Sequence, residues 1–209
     1  MTNLEKIGTG KKPEAQEKQK VEVERMAREV ERCVLEADTY QDGGIASFTS
    51  FGSLLEEMLE SCMSSRREDE FSKLLKRFNS GVEDESISIF KAGLLLRELA
   101  AAINRVDRFY LGPDELNGLN NHGPLSPWEE EAQELARKVL VRAYRGFQEG
   151  KMKYYSAEWP MLQAKPFISN SPPEQLFLAE MMRPVLAAAM RAHSFYMDEY
   201  YRLFKRLER

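Results

Sequence analysis

The sequence predicts an all-α protein: an irregular bundle of about six or seven helices with a long ordered loop near residues 151–170. Three observations carry this. Apolar residues recur at steps of three and four through most of the chain, the spacing of one helix face. No segment alternates apolar and polar residues with period two, so no strand is expected. Start and stop signals, such as Ser126-Pro127 and Asn79-Ser80-Gly81, divide the pattern into helix-sized pieces.

Residues 1–13 are polar and basic and are expected to be disordered, leaving 14–209 as a single helical domain. Residues 14–40 read as one helix, with Val23, Met26, Val30, Cys33, Ala37 and Tyr40 along one seam. Such a seam docks on the chain's own core or pairs with a second copy to make a homodimer. Gln41-Asp42-Gly43-Gly44 ends it. A helix over about 50–64 follows, with Leu54, Leu55, Met58, Leu59 and Cys62 on one face. The next, over 68–79, aligns Phe71, Leu74, Leu75 and Phe78.

Residues 85–106 are apolar around most of the circumference, apart from a strip of Lys91, Glu98 and Arg105. A helix of that kind is a buried one, so this segment is expected at the centre of the bundle. Residues 107–127 form a connector with turns at Asn120-Asn121-His122-Gly123-Pro124. Ser126 as N-cap, Pro127 in the first turn and Glu129, Glu130 and Glu131 after it start a helix that runs to 149. Ser171-Pro172-Pro173-Glu174 starts the last helix, which extends to about 208. Pro184 inside it removes a backbone hydrogen bond and predicts a kink or a split.

At 209 residues and a net charge of −4, the chain has ample material for a core and no overall attraction to nucleic acid. Cys33 and Cys62 fall on apolar helix stripes and are expected to be buried, reduced thiols. No apolar leader opens the sequence and no apolar run reaches the ~20 residues of a membrane span. Together these features point to an intracellular, cytoplasmic protein, with the nucleus as the secondary place.

Motifs of known chemistry fail on inspection. GTGKK at Gly8–Lys12 lacks the earlier glycine of a phosphate loop, has Lys12 where a magnesium-binding hydroxyl belongs, and follows no strand. A calcium loop beginning at Asn104 would place Val106 and Arg108 at ligand positions and Phe109 where glycine is required. The two histidines, His122 and His193, read as a turn residue and a core residue. No metal ligand set, nucleophile–base pair or cofactor motif is found, so neither catalysis nor a cofactor is expected. An enzyme with a carboxylate-lined bundle pocket is the least favoured reading.

What stands out is aromatic and basic. Arg137, Lys138, Arg142 and Arg145 crowd the end of the 127–149 helix and lead into Lys151, Lys153, Tyr154 and Tyr155. The segment continues through Trp159 to Phe167 and is too apolar to stay solvated. It either covers the core or meets a partner. The candidate partner-binding residues are therefore Arg142, Arg145, Lys151, Lys153, Tyr154, Tyr155, Trp159 and Phe167. The function expected is a non-enzymatic protein–protein interaction module, an adaptor or regulatory subunit, with an acidic or phosphorylated segment as its partner. The alternative is a peripheral membrane or lipid-binding protein that uses the basic cluster and the C-terminal helix, whose Phe195, Tyr196, Tyr200, Tyr201, Leu203 and Phe204 span more than one face.

Overall fold

The computed structural model describes residues 11–36, 44–110, 126–168 and 172–207, with side chains for 17–36, 51–106, 126–168 and most of 172–198. These residues form seven helices and no strand: α1 (Lys11–Glu36), α2 (Gly44–Ser65), α3 (Glu68–Glu83), α4 (Ile89–Tyr110), α5 (Pro127–Gln148), α6 (Tyr154–Ile168) and α7 (Pro172–Leu207). The all-α reading and the number of helices stand as expected. Residues 11–13 already belong to α1 rather than to an unstructured leader. The Gln41–Gly43 stop, the His122 turns and Ser171 lie outside the described residues.

One contiguous core runs from Val23 on α1 to Val185 on α7. The seam of α1 (Val23, Met26, Ala27, Val30, Val34) is buried against α2 and α3, as a helix docked on its own bundle would be. Cys33 flanks that seam and is only half-buried, whereas Cys62 is fully enclosed. Burial pushes the Cys62 thiol up to about 12 and raises that of Cys33 as well.

The α4 helix touches α2, α3, α5 and α6, as a helix apolar around most of its circumference should, and α5 likewise touches four neighbours, α3, α4, α6 and α7. Its polar strip finds partners at the rim: Lys91 donates to the Leu35 carbonyl, Arg97 pairs with Glu98, and Arg105 pairs with Glu56. The helix begins at Ile89, later than the periodicity suggests, because Glu85 takes a left-handed φ of 68° in the preceding turn.

The α5 helix starts where its cap signal places it. The Ser126 N–H and hydroxyl each donate to the Glu129 carboxylate at 2.7 Å, one arm of a capping box. Long-range hydrogen bonds then tie α3 to α5. Asn79 donates to the Glu131 carbonyl at 3.0 Å and to its carboxylate at 2.9 Å, and Ser72 donates to the Pro127 carbonyl. Phe71 meets Trp128 edge-on with ring centroids 5.8 Å apart.

Two expectations are corrected. The segment near 151–170 is not a long loop: after the short link Glu149–Lys153 it folds as helix α6, with Pro160 and Pro166 inside it. Each proline removes a backbone hydrogen bond, and tertiary packing compensates. Ala157, Pro160, Met161, Ala164, Phe167 and Ile168 all face inward. The second correction removes only the split from the kink or split expected at Pro184: α7 runs through it as one helix from Pro172 to Leu207.

Candidate functional site

The predicted site residues separate into two places. Arg142, Arg145 and Lys151 line a cleft of about 730 Å³ between α5 and the α3–α4 turn, with Val82, Glu83, Glu85 and Ile89 on the opposite wall. Tyr155 and Trp159 lie on the outer face of α6. Phe167 is buried on that helix's inner face, and Tyr154 is half-buried with its ring beside that of Tyr155. Lys153 is exposed immediately before α6.

The cleft is largely occupied with holding the fold together. Arg142 donates to the Val82 carbonyl at 2.6 Å and to the Ile87 carbonyl at 3.2 Å, and its guanidinium lies 3.4 Å from the Glu85 carboxylate. One side chain thus closes the end of α3, spans the left-handed turn at Glu85 and reaches the start of α4. Lys138 bridges to Glu83 at 2.7 Å and donates to the Asn79 carbonyl, while Arg137 pairs with Glu174 at the start of α7. Lys151 pairs with Glu149 at 2.7 Å; that hydrogen bond and the opposite charge raise the lysine's pKa and hold the glutamate's below the usual carboxylate range. Five cations face four carboxylates across the cleft walls, so the basic run in the sequence leaves little net positive field in space.

The outer face of α6 differs. Tyr155, Trp159, Leu162 and Pro166 fall within roughly 60° of arc at 100° per residue, so they form one stripe. Tyr155 is 53% exposed and Leu162 43%, and Pro166 is exposed too. Phe90 of α4 widens the stripe: it is 42% exposed, and its ring stacks on Trp159 with centroids 4.9 Å apart. Lys153 and Lys165 are exposed at the two ends of the helix, and Glu158 flanks the middle.

The stripe is held in place from below. Gly93 of α4 lies directly under Trp159. A Cβ built at Gly93 would stand 2.6 Å from the Trp159 ring and 3.2 Å from the Pro160 Cα. Only glycine admits this approach of α6 to α4. Trp159 therefore has a packing role on one ring face while the stripe around it meets solvent.

Sequence reasoning found Tyr155 and Trp159 but missed Leu162 and Phe90. The signal for Leu162 was its i+7 spacing from Tyr155, hidden because the segment was read as a loop. Phe90 was assigned to a buried helix, and only the packing of α6 against α4 shows it at the edge. Among the described residues, no group of three or more histidine, cysteine or acidic side chains is placed to hold a metal ion. The chain matches no family model, no curated protein and no solved structure.

Proposed function

We propose that this protein is a non-enzymatic protein–protein interaction module, an adaptor or regulatory subunit, and that its partner docks on the outer face of α6. One observation carries the reading: α6 has apolar residues on two opposite faces, and among the described residues only the inner face is buried. A contiguous apolar stripe left on a surface marks an interaction site. The uncovered stripe presents tyrosine, tryptophan, phenylalanine and leucine, and large aromatics are enriched where binding energy concentrates. Lys153 and Lys165 at its ends suit a partner segment with apolar anchors and acidic flanks. The free thiols Cys33 and Cys62 fit a reducing, cytoplasmic setting.

The test is affinity capture from native lysate of the source organism, read by mass spectrometry. Wild type is compared with Tyr155→Glu, Leu162→Glu, two exposed positions whose change leaves the core intact. A stoichiometric partner captured by wild type and lost with the folded variant is the expected result. A partner retained by the variant would remove α6 from the interface.

A further inference from the structure

The outer stripe of α6 has the spacing of a coiled-coil seam. Tyr155, Trp159, Leu162 and Pro166 follow one another at steps of four, three and four. From the first to the last is about 16 Å of helix at ~1.5 Å per residue. The stripe occupies roughly 60° of arc at 100° per residue, the width that one further helix covers.

The polar residues beside the seam identify that helix. Glu158 and Lys165 lie on one flank, Ser156 and Gln163 on the other. Suppose a second α6 lies antiparallel on the first, with the seam positions in layers. Tyr155 then faces Pro166 of the copy, and Trp159 faces Leu162 of the copy. One register satisfies both layers, and two-fold symmetry repeats each of them. In that register Glu158 comes within about 3 Å, measured along the axis, of Lys165 of the copy. Ser156 stands in the same relation to Gln163 on the other flank. Both flanks are therefore self-complementary: opposite charges meet on one, and uncharged polar groups meet on the other. A parallel copy would set Glu158 against Gln163 and leave both charges unmatched.

The rest of the chain leaves these groups available. Tyr155 and Leu162 are about half exposed, and Lys165 is exposed. Among the described residues, neither Glu158 nor Lys165 takes part in an ion pair within its own chain. The seam of α1, by contrast, is buried in its own bundle and has nothing left to offer a second copy.

We infer that α6 pairs antiparallel with α6 of a second copy of this chain. The two-fold dimer has Trp159–Leu162 layers at its centre and Glu158–Lys165 pairs at its rim. This rests on the reading of the α6 stripe as a docking face, and it names the occupant of that face when no other partner is bound. Three turns of helix make a small contact, so the dimer is weak, with a Kd on the order of micromolar. A partner helix of better fit displaces it.

The experiment is sedimentation velocity of the full chain from roughly 1 to 500 µM, a range that brackets such a Kd. The average mass of wild type is expected to rise from the monomer toward twice that value. Tyr155→Glu, Leu162→Glu should stay monomeric with unchanged helical circular dichroism. Glu158→Lys and Lys165→Glu, each alone, place like charges against each other on the shared flank and should weaken self-association by about tenfold. An equimolar mixture of those two variants restores opposite charges in the mixed dimer and should associate about as wild type does. Damage to the fold would not be repaired by mixing. Wild type that stays monomeric throughout overturns the inference, as does undiminished association of Tyr155→Glu, Leu162→Glu or a mixture that fails to restore it. A monomeric chain that still captures a protein through the stripe would sink the dimer and leave the docking reading intact. A dimer lost in Tyr155→Glu, Leu162→Glu, beside a captured protein that this variant retains, would uphold the dimer and move the other partner off α6.

Discussion

Arg142 shows how a residue of apparent binding character is consumed by the fold. Its guanidinium satisfies the Val82 and Ile87 carbonyls at a turn that Glu85 enters with positive φ. Arg142→Ala leaves those carbonyls short of a charged donor, and a loss of about 1.5–3 kcal/mol is expected in urea unfolding. Lys151→Gln, which breaks an exposed pair with Glu149, should leave the same curve unmoved. The thiols make a second contrast at this scale. Cys62 is enclosed and its pKa is pushed up to about 12, so a maleimide should modify Cys33 in the native protein and reach Cys62 only on unfolding. The fold favours the protonated Cys62 thiol, and the unfolded chain releases that proton first. Stability associated with this group is therefore complete below the model-peptide thiol range and declines as pH rises from about 9 toward 12. Urea midpoints measured across that range check the sign.

At the level of elements, α6 depends on its neighbour α4. An alanine at Gly93 would gain about 1 kcal/mol of helix propensity. It would also drive a methyl group into the Trp159 ring and toward the Pro160 backbone. Overpacking costs about 1–3 kcal/mol, so the clash wins and Gly93→Ala should lower the thermal midpoint. Trp159→Ala removes the ring from the other side and should cost about 2–3 kcal/mol, less than a fully buried tryptophan because Trp159 is half-buried. The double variant then tests whether the two residues form one contact: its loss should fall short of the sum of the single losses. These features also explain why α6 was unreadable as a helix. Its inner face is Ala157, Met161, Ala164 and Ile168, its outer face is Tyr155, Trp159 and Leu162, and its polar residues are split between two narrow flanks, Ser156 and Gln163 on one and Glu158 and Lys165 on the other, so no single polar side marks a period. The two prolines completed the disguise.

At the scale of the whole molecule, the last buried side chain described on α7 is Val185. His193 was expected in the core because it lies on the stripe of Ala189, Tyr196, Tyr200 and Leu203. It is exposed instead. Removing residues 187–209 should therefore shift the unfolding free energy by no more than about 1 kcal/mol, since no described side chain there is buried. Chemical denaturation of the truncated chain beside the full chain measures this directly. A large loss would mean that residues 187–209 support the bundle.

The sequence by itself determined the fold class, most of the buried faces of α1 through α3, and the start of α5 at Ser126. Those features rest on local rules: periodic apolar spacing, capping chemistry, and the cost of leaving a hydrophobic face wet. It also located an aromatic segment of interest around Tyr155 and Trp159. The tertiary structure decided the rest. It turned that segment into a helix, because burial against α4 and α5 outweighs two lost backbone hydrogen bonds. It spent Arg142 and Lys138 on the α3–α4 turn, because α3 comes to lie beside α5. And it left Leu186 and Met190 of α7 exposed, because whether an apolar stripe is core or surface depends on what stands opposite it, and that is a property of the assembled bundle rather than of the stripe.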